Sequence, residues 1–225
     1  MSDDQHQHEH GRQAHGDDLR AMFTQEFWDE RYATSDRIWS GNPNRFLVEE
    51  VAGLEPGTAV DVGCGEGADA VWLAGRGWQV TGVDVSGVAL ERAAGHAAGA
   101  GVADRTQWLR ADVFAREPIP TGVDLVTAAY VHVPPDDFEA VYRHLAASVA
   151  PGGHLVVLAH HPDDAHTGLR NSELSHLLFT PDDVVRVLDP GEWEVVSARV
   201  LTRDHEHEGV NHVVSDTVVR ARRRA

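Results

Sequence analysis

The sequence predicts a three-layer α/β domain built on a seven-stranded, mostly parallel sheet, and three observations carry that prediction. Short apolar runs alternate with helical stretches from Thr58 onward, which is typical of strand–helix units around a parallel sheet. A strand runs into a glycine-rich turn at residues 63–67 and then into an alanine-rich helix. The last two strands alternate, which indicates an antiparallel hairpin. The 225 residues suit one such domain over 56–225, behind a helical cap over 19–55 and a disordered tail over 1–18.

The N-terminal elements come first in chain order. Residues 1–18 hold four histidines among acids and glutamines and lack an apolar run, which predicts disorder. Residues 19–32 repeat apolar side chains every four positions, which predicts an amphipathic helix. A turn at 39–44 then precedes a second helix that begins at Phe46 and ends around Gly53.

The elements of the main domain follow in order. We predict parallel strands at 58–62, 79–84, 106–111, 124–129 and 154–159, with helices at 68–75, 86–100 and 136–149. Pro151-Gly152-Gly153 predicts the turn into the fifth strand. Thr180 is an expected N-cap, with Pro181 at the first position of a helix that runs through Leu188. Two strands near 193–202 and 210–220, joined by a charged loop, complete the sheet.

Composition excludes several functions. The chain carries 36 acidic and 19 basic residues for a net charge of −17, which argues against a nucleic-acid or anionic-membrane partner. Every basic residue is arginine, so neither a lysine Schiff base nor a Walker A loop is possible. The single cysteine, Cys64, excludes an internal disulfide and favours a cytoplasmic location, as does the absence of a signal-peptide pattern. One sequence shows no symmetric interface, so no oligomeric state is predicted.

The strongest motif is the segment at residues 60–67, Val-Asp-Val-Gly-Cys-Gly-Glu-Gly. Glycine permits the positive φ of a sharp strand-to-helix turn and lets a ligand approach the backbone. Asp84 ends the next strand nineteen residues after Gly65, where a carboxylate can accept both hydroxyls of a ribose. Asp112 ends the third strand, where it can reach an adenine.

This order of motifs resembles the class I S-adenosylmethionine-dependent methyltransferases, from about Thr58 through the C-terminal hairpin. The resemblance implies a Rossmann-like fold, S-adenosylmethionine as cofactor and methyl transfer to a small-molecule acceptor. It implies that the cofactor is bound by Asp61, Gly63, Cys64, Gly65 and Gly67 around its methionine part, Asp84 and Val85 at its ribose, Asp112 and Val113 at its adenine, and Ala129. Two N-terminal segments, residues 27–32 and 38–43, are further similar to the small-molecule branch that contains tellurite-resistance and thiopurine-type methyltransferases.

Two alternatives remain open at this stage. Gly63, Gly65 and Ala68 also fit the dinucleotide fingerprint of an NAD(P)-dependent oxidoreductase. Against it, Asp61 places a negative charge where a pyrophosphate would lie, whereas a cationic amino acid group is attracted there. The histidine-containing segments 160–166 and 204–212 suggest a non-catalytic, metal-responsive binding protein, but they lack the spacing of established metal sites, and we predict no metal.

The acceptor side is expected at the ends of the fourth and fifth strands. We predict His132, Tyr130 and His160 as catalytic residues, with His132 the first candidate for a general base. The residues predicted to contact the acceptor are Trp28, Tyr32, Trp39 and His161. The loop after the fourth strand lacks Asn-Pro-Pro-Tyr, which argues against methylation of adenine or glutamine amino groups. The acceptor atom is left open.

Overall fold

A seven-stranded sheet forms the middle layer of the computed structural model, which describes residues 22–166, 172–207 and 209–225. The strand order is β3-β2-β1-β4-β5-β7-β6. Strands β1 to β5 pair in parallel, and β7 runs antiparallel to both β5 and β6. The strands are β1 Thr58–Val62, β2 Gln79–Asp84, β3 Thr106–Arg110, β4 Val123–Ala129, β5 Val149–His160, β6 Trp193–His207 and β7 Val210–Arg223. The predicted fold class is confirmed.

Six α-helices accompany the sheet in the described ranges. They are α1 Gln25–Ala33, α2 Arg45–Val51, α3 Ala68–Gly75, α4 Gly87–Gly99, α5 Phe138–Ala147 and α6 Pro181–Val187. Short 3₁₀ helices lie at Ala103–Arg105, Pro162–His166 and Ser172–Leu177. No helix among the described residues is long and apolar enough to cross a membrane.

Polar side chains at the helix starts explain where several helices begin. The Asn44 carboxamide oxygen accepts the amide protons of Phe46 and Leu47, and α2 therefore starts one residue before its predicted position. The predicted cap at Thr180 is confirmed, and Asp183 completes a capping box with it. The first helix was predicted over residues 19–32. Within the described residues it begins later than predicted, at Gln25, because the Thr24 side chain caps α1. The predicted tail, 1–18, lies outside the described residues.

Alternation along the central strands builds an apolar core on each face of the sheet. On β4, Leu125 packs toward the α2, α3 and α4 side, whereas Val126 packs toward α5 and α6. Tyr142 of α5 is 1% exposed and belongs to the core on the α5 and α6 side. Burying a side chain of the size of leucine contributes about 1.5–3 kcal/mol, so these two cores hold the sheet rigid between its helical layers.

Two local predictions were wrong. The charged segment 204–207, expected in a loop, extends β6, whereas β7 begins at Val210 as predicted. Backbone pairing across the hairpin, such as His205 opposite His212, overrides the polar composition of the segment. The Pro151-Gly152-Gly153 turn lies inside β5, at a shift in the register between β4 and β5.

The strand order reverses direction beside β1, whose neighbours are β2 and β4. Crossover connections leave this point toward opposite faces, which opens a crevice at the carboxyl ends of the strands. The glycine turn lies there, and α1 and α2 precede it in the chain as the N-terminal cap. The fold thus brings the sequence motifs and the cap to one edge of the sheet.

Candidate active site

The glycine turn after β1 has the backbone conformation that its sequence predicts. Gly63, Gly65 and Gly67 have φ angles of +65°, +51° and +83°. A Cβ on Gly65 would lie 2.7 Å from the Tyr32 hydroxyl, and one on Gly63 would lie 2.6 Å from Cγ2 of Val131. Both the left-handed backbone and the close neighbours therefore require glycine here.

Asp84 fastens the glycine turn to the end of β2. Its Oδ2 accepts the Gly65 amide proton at 2.8 Å, and its Oδ1 accepts the Ser86 amide proton at 2.9 Å. Burial raises the pKa of Asp84 more than these amide bonds lower it. The predicted ribose ligand thus lies at the glycine turn, with Val85 half-buried behind it, and it has a structural role that sequence reasoning did not assign.

Asp61 is the buried acid in front of the turn, with 2% of its surface exposed. Its Oδ1 accepts the Thr127 hydroxyl proton at 2.7 Å, whereas Oδ2 has no hydrogen-bond partner among the described residues. Burial and the negative charges of Asp69 and Asp84 raise the pKa of Asp61 to about 8. A cationic group at Oδ2 would supply the missing partner, so the amino group of S-adenosylmethionine fits this position.

Cys64 lies within the same turn and is a poor nucleophile. Burial, followed by the charges of Asp84 and Asp61, raises the pKa of its thiol well above the ordinary value. The thiol therefore stays protonated at neutral pH, and Cys64 serves the turn as a small side chain.

The predicted adenine residues follow β3, beside the end of β2. Oδ1 of Asp112 accepts the amide protons of Phe114 and Ala115 at 2.8 and 3.1 Å, which closes a turn, and Val113 is buried. The Phe23 ring from the N-terminal cap meets the Phe114 ring edge-on at 5.2 Å between centroids. The cap therefore also contacts the loop that follows β3.

Three carboxylates hold the cap on the domain, and sequence reasoning missed the role of each. Each acid accepts a hydrogen bond from a residue at least 25 positions away, so no local pattern signals it. The bonds run from the Ser86 hydroxyl to Asp29 at 2.6 Å, from the Ile38 and Trp39 amides to Glu66 at 3.2 Å each, and from the Asn44 amide to Asp69 at 2.6 Å. Arg92 adds an ion pair with Glu66 at 3.0 Å.

The predicted acceptor contacts of the cap lie over the glycine turn. Tyr32 is 3% exposed, and its hydroxyl accepts the Trp39 indole proton at 3.0 Å. Trp39 itself is 47% exposed, and the Trp28 ring lies 6.0 Å from the Tyr32 ring. Burial, reinforced by the charge of Asp84, raises the pKa of Tyr32, so this phenol stays neutral. The structure thus brings together Trp28, Tyr32 and Trp39.

The three predicted catalytic residues form an aromatic group at the ends of β4 and β5. The His160 ring lies 4.3 Å from the Tyr130 ring and 5.2 Å from the His132 ring, between centroids. Tyr130 has a φ of +58°, a strained value for an aromatic residue of the kind that clusters at functional sites. His161 is paired instead with Asp163, since its Nδ1 lies 3.3 Å from an oxygen of that carboxylate.

A buried carboxylate, Asp216 of β7, joins this group and was missed from the sequence. Its Oδ1 accepts the Tyr130 hydroxyl proton at 3.1 Å and lies 3.4 Å from Nδ1 of His160. Its Oδ2 accepts from Arg203 Nε at 2.7 Å. Burial alone would raise the pKa of Asp216, but the bonds from His160 and Arg203 outweigh it and hold the pKa below the ordinary value.

The metal-binding alternative gains no support from the geometry. Among residues 22–166, 172–207 and 209–225, no three histidine, cysteine, aspartate or glutamate side chains come together as a metal site. The four histidines at positions 6–15 lie outside the described residues.

Comparison with known proteins agrees with the fold. Residues 59–153 match the family model of a methyltransferase domain. The ubiquinone biosynthesis O-methyltransferase of Cupriavidus pinatubonensis is 37% identical over 119 residues, which cover 52% of this chain and 47% of that protein. An uncharacterised methyltransferase of Mycobacterium bovis is 33% identical over 137 residues, 60% of this chain and 66% of its own. The chain thus spans about half to two thirds of the length of these relatives.

Solved structures share the fold at low identity. A structure from work on the conversion of a disulfide bond into a thioacetal group during echinomycin biosynthesis superposes with a TM-score of 0.70 at 23% identity, covering 89% of this chain and 91% of that one. TehB from Haemophilus influenzae gives 0.66 at 14% identity, over 89% and 67%. Residues 59–153 thus match a methyltransferase domain, and the solved structures share the fold of the whole sheet. The narrower resemblance to the tellurite-resistance and thiopurine-type branch stays a prediction.

Proposed function

We propose that this chain transfers the methyl group of S-adenosylmethionine to a small-molecule acceptor. The observation that carries the proposal is the buried Asp61, whose Oδ2 lacks a hydrogen-bond partner in the described structure and which directly precedes a turn that requires glycine. When bound, S-adenosylmethionine supplies an electrophilic methyl group, so the protein has chiefly to bind, orient and exclude water.

The residues divide into three tasks. Asp61 would pair with the amino group, and the turn at Gly63–Gly67 would receive the methionine part. Asp84 with Val85 would face the ribose, and Asp112 with Val113 the adenine, while Ala129 ends β4 beside them. Tyr32 and Trp39 would exclude water, because their bonded side chains lie over Gly65.

The charges of the site disfavour a dinucleotide. Asp69 and Asp84 lie close enough to Asp61 to raise its pKa, so a pyrophosphate beside it would meet the negative charge of these neighbouring carboxylates. A sulfonium cofactor with an ammonium group relieves the same repulsion. The acidic chain also supports a small-molecule acceptor over nucleic acid, and its single cysteine supports a cytoplasmic location.

Calorimetric titration with S-adenosylmethionine, S-adenosylhomocysteine, NADH and NADPH tests the proposal. We expect micromolar binding of the two sulfur ligands by the wild type. Gly65→Ala should abolish it, because the new Cβ would lie 2.7 Å from the Tyr32 hydroxyl. Gly101→Ala is the matched control, since Gly101 also has a positive φ but a Cβ there meets nothing within 4 Å. Binding of NADH or NADPH without either sulfur ligand would refute the proposal.

A further inference from the structure

We propose that Thr127 is a positioning residue of the cofactor site: its buried hydroxyl holds Asp61 so that one carboxylate oxygen is left for the amino group of S-adenosylmethionine. The inference rests on the proposed function and deepens it, because it adds a residue that acts on the same ligand through Asp61. It depends on a hydrogen bond between two neighbouring strands and on a matching bond at the other end of those strands.

The register of the sheet sets Thr127 beside Asp61. The two residues pair directly in the parallel ladder of β1 and β4, so their side chains leave the sheet on the same face. Leu125, two positions earlier on β4, packs on the α2, α3 and α4 side, and alternation places Thr127 on that side as well. Thr127 is 0% exposed and Asp61 is 2% exposed, so little water competes for their contact.

The Thr127 hydroxyl has two acceptors within reach and a single proton to donate. Asp61 Oδ1 lies 2.7 Å from Oγ1, whereas the Val60 carbonyl oxygen lies 3.4 Å away, so the proton goes to the carboxylate. Threonine is branched at Cβ, which restricts its χ1 angle and so fixes the direction of the hydroxyl. A bond of fixed direction to one oxygen holds the carboxylate of Asp61 in one orientation.

This bond divides the two oxygens of Asp61 between two partners. Thr127 occupies Oδ1, and Oδ2 has no hydrogen-bond partner among the described residues. Burying a carboxylate oxygen without a partner costs free energy, which a bound donor recovers. The ammonium group of S-adenosylmethionine is such a donor, and Thr127 determines which oxygen of Asp61 is open to it.

Thr127 also opposes the loss of charge on Asp61. Burial raises the pKa of Asp61, and the negative charges of Asp69 on α3 and Asp84 on β2 add to the rise. The Thr127 hydroxyl lowers the pKa, because a hydrogen bond donated to the carboxylate favours its charged form. The Cys64 thiol of the turn stays protonated and adds no charge. Removing the Thr127 hydroxyl should therefore reduce the fraction of Asp61 that can pair with an ammonium group.

A matching bond at the other end of the same two strands supplies an internal control. The Thr58 hydroxyl of β1 donates to Asp124 Oδ2 of β4 at 2.8 Å, so each strand provides one threonine and one aspartate. Thr58 and Asp124 are both exposed. The two bonds join the same strands by the same chemistry, but only the Thr127 bond lies at the glycine turn.

Calorimetry at pH 7 with two ligands tests the positioning role in the full chain. S-adenosylhomocysteine carries the ammonium group, whereas 5′-methylthioadenosine keeps the adenosine and the sulfur but lacks the amino acid part. Thr127→Val should weaken binding of S-adenosylhomocysteine about tenfold or more, since a hydrogen bond to a charged group is lost, and should leave 5′-methylthioadenosine within about twofold. Thr127→Ser, which keeps a hydroxyl, should bind S-adenosylhomocysteine within about threefold of the wild type. Thr58→Val is the matched control and should change the affinity for neither ligand.

Carbon NMR of the Asp61 carboxyl gives a readout that a purely structural role would not move. Its resonance is assigned as the one missing from the spectrum of Asp61→Asn. In the ligand-free protein, Thr127→Val should raise the pKa of this carboxyl by about one unit or more above the wild-type value of about 8. Thr127→Ser and Thr58→Val should leave it near the wild-type value.

Three results would overturn the positioning role. They are an equal loss of affinity for both ligands in Thr127→Val, an affinity for S-adenosylhomocysteine within about twofold of the wild type in that variant, and an unchanged pKa of Asp61. Thr127→Ala, which also lacks the donor but is smaller, keeps the test decisive if Thr127→Val fails to fold. A failure of the proposed function is distinguishable, because the wild type would then bind neither ligand.

Discussion

Asp61 should make the affinity for the cofactor depend on pH, and replacing it should remove that dependence. Its carboxyl has a pKa raised to about 8 by burial and by neighbouring acids, so at pH 7 most Asp61 is protonated and neutral. Binding of an ammonium group requires the charged form, lowers its pKa and releases a proton. Since the ionised fraction falls tenfold for each pH unit below the pKa, affinity at pH 6 should be about 100-fold weaker than above pH 8.

The assay is calorimetry with S-adenosylhomocysteine between pH 6 and 8, in two buffers of different ionisation enthalpy. The wild type should bind more tightly as pH rises and release close to one proton per ligand at pH 7. Asp61→Asn should bind with little pH dependence and, at pH 8, about ten- to a hundredfold more weakly, because a charged hydrogen bond contributes about 1.5–3 kcal/mol.

Asp124→Asn provides the control for this measurement. Asp124 lies at the opposite end of the sheet, where it accepts from the backbone and hydroxyl of Thr58, and these bonds hold its pKa below the ordinary value. Its replacement should leave the affinity profile unchanged. A wild-type affinity that stays constant between pH 6 and 8 would refute the assignment of Asp61 to the ammonium group.

Three further substitutions probe the cap and the core. Asp69→Asn weakens the bond to the cap backbone, so trypsin should cleave faster after the exposed Arg37, as read by mass spectrometry; unchanged cleavage would contradict this role. Tyr142→Phe leaves a buried carbonyl without its hydroxyl donor and should cost about 1–3 kcal/mol in urea unfolding. Leu145→Ala should cost about 2–5 kcal/mol in the same assay, because the side chain is fully buried, whereas Val196→Ala, at a position 42% exposed, should cost far less.

The sequence predicted the parallel part of the sheet because each strand there carries its own signal. Residues 58–62 and 79–84 form β1 and β2 with the predicted bounds, and each ends at a motif residue. Apolar periodicity and glycine punctuation act over a few residues, so one chain suffices to recognise them. The end of β6 lacked this signal, since residues 204–207 are polar and become a strand only through pairing with β7.

The residues of the site also differ in whether a local sequence signal or the pairing of distant strands places them. Asp61 and Gly65 lie in one contiguous motif and were recognised together. Asp216 was not recognised, because its place beside His160 depends on the register between β5 and β7, and 56 positions separate the two residues. A buried acid in an alternating strand reads as a solvent-facing position until the neighbouring strand is known.

Carboxylates have two roles at the glycine turn: some face the turn itself and others attach the cap. An acidic, lysine-free chain can therefore build this site. Asp61 and Asp84 end two strands and face the turn itself, whereas Glu66 and Asp69, at the start of α3, accept backbone amides of the cap. Residues 61–69 thus hold one of the acids that face the turn, Asp61, and two of the three carboxylates that attach the cap. A cap bound through backbone amides needs no particular side chains of its own at those positions, so its sequence does not reveal what holds it. The short segment that the motif marks for the cofactor therefore also helps to position the cap.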